Sequence, residues 1–249
     1  GCEARARAKF DYVSWEGTAN YRFTDNVMAY ARAAKGQKSG GFNASVQTGF
    51  LNPFNPETLL QYELGLKSEL FDRRVRFDVA AYSGDYKQIQ RQVIRIIRGA
   101  PSVFVSNAAA ATVKGAEAEL TVAPAEGLQL RAGIGYTDAE YDAWNFVDPV
   151  TGAREDLSKN RFAIVPKYTY RLSAQYRRDL GPAIVSASAS WNATSKYFLS
   201  PENRNDFIQD GYGLLSARLA VLMRDEDVEV ALFGNNLTDK YYNTFGSVY

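Results

Sequence analysis

The sequence predicts an all-β fold, an antiparallel transmembrane β-barrel segment of about ten long strands with short turns at one end and long loops at the other. Three observations predict it. Apolar residues recur with period two along most of the chain, which places successive side chains on opposite faces of a strand. The alternating stretches run past the ~5–6 residues of an ordinary strand. The segments between them alternate strictly between short and long.

The strands are drawn over about 10–23, 27–42, 57–70, 74–94, 108–123, 128–142, 165–178, 183–199, 211–223 and 227–240. In the third, Leu60, Tyr62, Leu64 and Leu66 alternate with Gln61, Glu63, Gly65 and Lys67. In the fourth, Val75, Phe77, Val79 and Ala81 alternate with Arg74, Arg76, Asp78 and Ala80. The fifth carries Glu117 and Glu119 at i and i+2, on one face, which suits a charged lumen wall better than an acid/base pair in a cleft. In the sixth, Leu128, Leu130, Ala132, Ile134 and Tyr136 alternate with Gln129, Arg131, Gly133 and Gly135. The seventh sets Tyr168, Tyr170, Leu172, Ala174 and Tyr176 against Lys167, Thr169, Arg171, Ser173 and Gln175.

The eighth strand is the clearest. Ala183, Val185, Ala187, Ala189, Trp191 and Ala193 are apolar, and Ser186, Ser188, Ser190 and Asn192 lie between them. One greasy face and one wet face over this length suit a wall between lipid and a watery lumen. In the ninth, Leu215, Ala217, Leu219 and Val221 face away from Ser216 and Arg218. The expected lipid-facing residues therefore include Leu64, Leu130, Ile134, Leu172, Ala187 and Ala189. Glu63, Arg131, Arg171, Ser188 and Ser190 are expected in the lumen.

A soluble β-sandwich also alternates. It has no reason to put every short turn at one end. Thr24-Asp25-Asn26, Phe71-Asp72-Arg73, Pro124-Ala125-Glu126-Gly127, Asp179-Leu180-Gly181-Pro182 and Arg224-Asp225-Glu226-Asp227 are all turn compositions. The loops 43–56, 95–107 and 143–164 lie at the other end. Bacterial barrels place short turns in the periplasm and long loops outside. No stretch sustains the i, i+3, i+4, i+7 pattern of a helix, and no run of ~18 apolar residues offers a transmembrane helix.

Composition narrows function. Lys and Arg number 29 against 28 Asp and Glu, which gives no nucleic-acid signal. The 16 Tyr and 14 Phe suit an interfacial girdle, with Tyr21, Phe23, Tyr136, Tyr141, Tyr168, Tyr197 and Phe198 near strand ends. The absence of histidine removes Ser-His-Asp and Cys-His nucleophiles and imidazole metal sites. No residue is nominated as catalytic, cofactor-binding or metal-ligating, and the chain is not expected to be an enzyme. Gly133-Ile134-Gly135 lies inside a strand with no helix start to hold a phosphate, and is expected to make room in the wall. Asp225-Glu226-Asp227 reads as a solvated turn, and Cys2 is alone. Gly1-Cys2-Glu3-Ala4-Arg5 lacks an apolar signal core, so the chain is expected to be processed or a piece of a longer one.

Several blocks resemble the C-terminal barrel of TonB-dependent outer-membrane receptors. They are Tyr30-Ala31-Arg32 through Lys38-Ser39-Gly40-Gly41-Phe42-Asn43, Pro56-Glu57-Thr58 through Tyr62-Glu63-Leu64-Gly65-Leu66-Lys67-Ser68, and Val79-Ala80-Ala81-Tyr82 through Asp85-Tyr86-Lys87-Gln88-Ile89-Gln90. Asn107-Ala108-Ala109 with Lys114-Gly115-Ala116-Glu117-Ala118-Glu119, and Leu232-Phe233-Gly234-Asn235-Asn236-Leu237-Thr238-Asp239-Lys240-Tyr241-Tyr242, complete the set. The resemblance implies about ten strands of a 22-stranded barrel filled by an N-terminal plug. The plug, the first barrel half and the last strand are expected to lie outside residues 1–249. It further implies active uptake of a scarce ligand, most often an iron-siderophore complex, driven by TonB through the plug. The implied partners are outer-membrane lipid, TonB and that ligand. A passive porin and a barrel hydrolase are the other classes the pattern admits; the lack of His counts against the hydrolase.

Overall fold

The computed structural model describes residues 5–44, 51–97, 100–147, 152–223 and 228–244. The strands in chain order are β1 (Trp15–Thr24), β2 (Val27–Lys38), β3 (Gly41–Ala44), β4 (Leu51–Phe54), β5 (Glu57–Leu70), β6 (Val75–Ile97), β7 (Ala100–Ala125) and β8 (Leu128–Ala143). They continue with β9 (Asn145–Val147), β10 (Arg154–Asp156), β11 (Tyr168–Asp179), β12 (Ala183–Thr194), β13 (Tyr197–Phe198), β14 (Ile208–Gln209), β15 (Tyr212–Met223) and β16 (Val228–Gly234). Ten of them make one sheet in the order β1-β2-β5-β6-β7-β8-β11-β12-β15-β16. Every neighbouring pair in it is antiparallel. The other strands pair as β3–β4, β9–β10 and β13–β14. Among the described residues the only helical element is a 3-10 turn at Asn205–Phe207.

The register settles which residues share a face, because directly opposed residues in an antiparallel pair point the same way. Leu64 opposes Ala31 and Ala81, Ala81 opposes Ala116, and Ala116 opposes Tyr136. Ile134 opposes Tyr170, Leu172 opposes Trp191, and Ala189 lies between Ala174 and Ala217. Leu219 opposes Leu232. One apolar face thus runs unbroken from β1 to β16. The opposite face carries Arg32 against Glu63, Asp78 against Glu119, Gly133 against Arg171, Ser173 against Ser190 and Ser188 against Arg218. The expected facing of all eleven nominated residues follows this division. Leu64, Leu172 and Leu232 are 65%, 48% and 77% exposed. A water-soluble sheet would cover such a face; a barrel wall gives it to lipid.

Four short turns join the strands at one end. Asn26 N–H binds Thr24 Oγ1 at 3.2 Å, and Gly181 N–H binds Asp179 Oδ1 at 2.9 Å. Gly127 has φ +75°, and a Cβ there would lie 2.0 Å from the Arg177 carbonyl oxygen. Phe71, Asp72 and Arg73 all adopt left-handed φ, at 55°, 54° and 64°, without a glycine. The fifth turn, Arg224 to Asp227, and Cys2 lie outside the described residues.

The long-loop end departs from expectation. Residues 95–97 and 100–107 are strand rather than loop: β6 and β7 stay paired to Ile97 opposite Ala100. The β3–β4 pair, from Gly41 to Phe54, overlaps the segment 43–56, and 143–164 contains the β9–β10 pair; residues 45–50 and 148–151 lie outside the described set. The first strand begins at Trp15 rather than near 10. The eighth ends at Thr194 and the tenth at Gly234, after which the chain turns.

Candidate functional site

Two surfaces carry chemistry: the charged inner face and the rim at the long-loop end. On the inner face, Arg32 reaches Glu16 at 2.7 Å and Glu63 at 3.8 Å. Glu63 also accepts a 2.7 Å hydrogen bond from the Tyr30 hydroxyl, and Lys67 sits 5.6 Å over the Tyr30 ring. Arg76 binds Asp78 at 2.8 Å. Glu117 and Glu119 stand exposed on this face. Farther round, Arg131 binds Gln129 at 2.7 Å, Arg171 binds Asn192 at 3.2 Å, and Arg218 pairs with Glu229. Exposed pairs of this kind add little stability each. Their effect is to keep the surface wet and charged where the sheet encloses a lumen.

Glycines let aromatic rings lie flat on this wall. Tyr30 opposes Gly65, and a Cβ on Gly65 would meet its ring at 2.3 Å. Tyr82 opposes Gly115, whose Cβ would meet that ring at 2.4 Å. A ring covering a cross-strand glycine restores packing that the missing side chain would lose. Gly135 makes room for Thr169, whose hydroxyl oxygen would lie 2.7 Å from a Cβ. This is the space-making role read for the segment, at Gly135 alone: a Cβ on Gly133 would meet nothing closer than 3.8 Å.

The rim has its own core. Ile89, Ala108, Ala111, Ala139, Tyr141, Trp144, Phe146, Leu157 and Phe162 form one buried cluster. Gln88 at φ 55° breaks the strand pattern just before Ile89. Tyr141 packs 4.6 Å from both Trp144 and Phe162, and the Arg91 guanidinium lies 4.0 Å over Phe162. Tyr141 is therefore a core residue, not a girdle residue; it is 1% exposed. Tyr197 is likewise buried, in the β12–β15 connection. The girdle reading fits Tyr21 with Phe23 at one end, and Tyr136 with Tyr168 at the other, ring centres 5.0 and 5.3 Å apart.

Polar groups hold the outer connections. Ser158 donates from its backbone to Asp156 at 2.9 Å, and its hydrogen bonds hold the Asp156 carboxyl below its usual value. Arg204 grips Asp206 at 3.0 and 2.7 Å and lowers it likewise. Burial, then a hydrogen bond with Tyr212, pushes the Tyr197 hydroxyl up to about 12. Among the described residues no three Asp, Glu, Cys or His side chains converge as a metal site.

A sheet with one apolar face, one charged face and all short turns at one end is the wall of a transmembrane β-barrel. The chain belongs to the TonB dependent receptor-like β-barrel family, whose model matches residues 3–237. It is 27% identical over 229 residues to the ferric-pyoverdine M114 receptor PbuA of Pseudomonas sp. strain M114, covering 91% of this chain and 26% of that one. It is 25% identical over 244 residues to the pesticin receptor of Yersinia pestis, covering 97% and 33%. Its fold matches the ferric yersiniabactin uptake receptor FyuA of Yersinia pestis with TM-score 0.76 at 24% identity, covering 94% and 33%. The siderophore receptor PiuA of Acinetobacter baumannii gives TM-score 0.72 at 22% identity, covering 95% and 33%. The chain spans a quarter to a third of the length of these relatives. Membership makes it an outer-membrane protein and not an enzyme.

Proposed function

We propose that this chain is a wall segment of a receptor that takes up an iron-siderophore complex across the outer membrane, powered by TonB. The observation that carries the reading is the alignment of nearly the whole chain with receptors named for ferric siderophores. The two-faced wall supports it, since lipid on one side and a charged lumen on the other are what such a barrel needs. On this reading the chain contributes about ten strands of a 22-stranded barrel. A plug and the first half of the barrel belong to the same parent protein, and TonB acts through the plug. The rim described above then borders the ligand entrance.

The test is uptake by the parent receptor. The full-length gene, restored to a strain lacking its siderophore receptors, should support accumulation of radioactive iron supplied as a siderophore complex. Accumulation should vanish without TonB. Uptake that persists unchanged without TonB would favour the passive channel instead.

A further inference from the structure

Four asparagines among the described residues use their side chains in one way. Asn43 Nδ2 donates to the Val105 carbonyl at 2.8 Å, and its Oδ1 accepts from Val105 N–H at 2.7 Å. Asn107 does the same to Asn55, at 3.0 and 2.7 Å. Asn203 does it to Arg161, at 2.9 and 2.6 Å. Asn236 does it to Lys240, at 3.0 Å for both bonds. A carboxamide carries the donor and acceptor of a peptide unit. Each side chain thus supplies, for one residue, the pairing that a neighbouring strand would supply.

Three of these pairs join distant segments. Asn43 and Asn107 tie the β2–β5 connection to the β6–β7 hairpin. Gln90 adds bonds to the Ser39 and Asn55 carbonyls at 2.9 and 3.0 Å. The buried cluster ties the same hairpin to the β8–β11 connection, through Ile89, Ala108 and Ala111 against Trp144, Phe146 and Phe162. Asn203 then ties that connection to the one between β12 and β15, where Ile164 N–H also binds the Phe198 carbonyl at 2.8 Å. The links run in series from β2 to β15.

We propose that the described parts of these four outer connections form one preassembled body, latched by asparagine carboxamides and the buried apolar cluster, not four independent lids. The asparagine amides do not titrate, so these latches hold across the pH range in which carboxylates and amines change charge. The inference concerns the rim alone and stands whatever the receptor carries.

Asn203→Asp in the full-length receptor tests it. The substitution keeps the volume and the acceptor, removes the donor, and sets a carboxylate against the Arg161 carbonyl. Hydrogen exchange read by mass spectrometry should quicken by about tenfold in both 160–164 and 199–207, the consequence of losing one satisfied amide pair. Strands β11 and β12 should keep their protection, and the protein should stay heat-modifiable. The paired change Asn43→Asp with Asn107→Asp should release 39–44 and 51–56 in the same way. If Asn203→Asp does not assemble, Asn203→Gly removes the carboxamide without adding charge, suits the φ of 54° at this position and gives the same readout. Quickened exchange on only one side of the latch, or on neither, overturns the proposal.

Discussion

Placing an arginine at residue 189 and, separately, at residue 188 distinguishes a membrane wall from any water-soluble sheet. Ala189 and Ser188 are adjacent on β12 and both exposed. Both sites are exposed, so sterics separate the two variants little. Their surroundings do. Ala189 lies between Ala174 and Ala217 on the apolar face, and Ser188 lies between Gln175 and Arg218 on the charged one. An arginine near the bilayer midplane on the lipid face costs ~2–4 kcal/mol. At 188 the new charge meets Arg218, which already pairs with Glu229, and like-charge repulsion on an exposed strand costs at most ~1 kcal/mol. The difference corresponds to a folding equilibrium shifted on the order of ten- to a hundredfold more by Ala189→Arg. The assay is folding of the parent receptor into lipid bilayers across a denaturant series, followed by the heat-modifiable band. Equal effects would refute the lipid assignment. Greater damage at 188 would reverse the two faces.

Further outcomes follow from the same geometry. Gly115→Ala should cost ~1–3 kcal/mol, because its Cβ would lie 2.4 Å from Tyr82 and 2.5 Å from the Tyr136 carbonyl oxygen. Gly17→Ala, with nothing within 4 Å, should stay within ~0.5 kcal/mol in the same denaturant series, and equal costs would count against the ring-over-glycine reading. The Tyr197 hydroxyl is raised from 10.0 to about 12 in the folded state. Its contribution to stability is therefore full below pH 10 and lost as pH rises toward 12. The tyrosinate absorbance difference between wild type and Tyr197→Phe should appear near pH 12, and a difference already complete near the ordinary value would show an open hydroxyl. With Cys2 replaced, an impermeant thiol reagent on intact cells should label a cysteine at 152 and not one at 72; the reverse would invert the topology. Residues 1–249 expressed alone leave β1 and β16 as unpaired edges, and each unpaired backbone group costs several kcal/mol in lipid. A heat-modifiable, protease-resistant monomer from that chain in membranes would refute this.

The wall was legible because one face of every spanning strand meets a different medium from the other. That difference writes a period of two into the sequence, as in Ala187-Ser188-Ala189-Ser190. Beyond Lys87 and Ala110 the signal fails. There β6 and β7 pair with each other past their neighbours, and Gln88 in left-handed φ turns the pattern over. A stretch that belongs to no lipid-facing wall has no reason to alternate, so 95–107 read as a loop. Tyr141 misled for a related reason. Its place at a strand end suits a girdle, but the partners that bury it, Trp144 and Phe162, come from a connection whose fold no local pattern announces. The asparagine latches join residues 42, 52 and 62 apart in the chain. Nothing near Asn203 in sequence points to Arg161.

Four of the five blocks that carry the family resemblance touch one another in the folded chain. Tyr30 from the first covers Gly65 from the second, and Tyr82 from the third covers Gly115 from the fourth. Glu57 from the second accepts from Gln90 N–H of the third at 2.7 Å, and Asn107 of the fourth donates to the Gln88 carbonyl at 2.7 Å. These residues build the wall and fasten the rim; they do so whatever passes through the barrel. That is a physical reason for one scaffold to match receptors named for ferric pyoverdine, pesticin and ferric yersiniabactin alike. On the described surface the connections holding 152–167 and 195–211 lie outside all five, and Asn203 fastens the two to each other. A latch made of uncharged amides leaves the exposed side chains of those connections free to vary without loosening the frame that presents them.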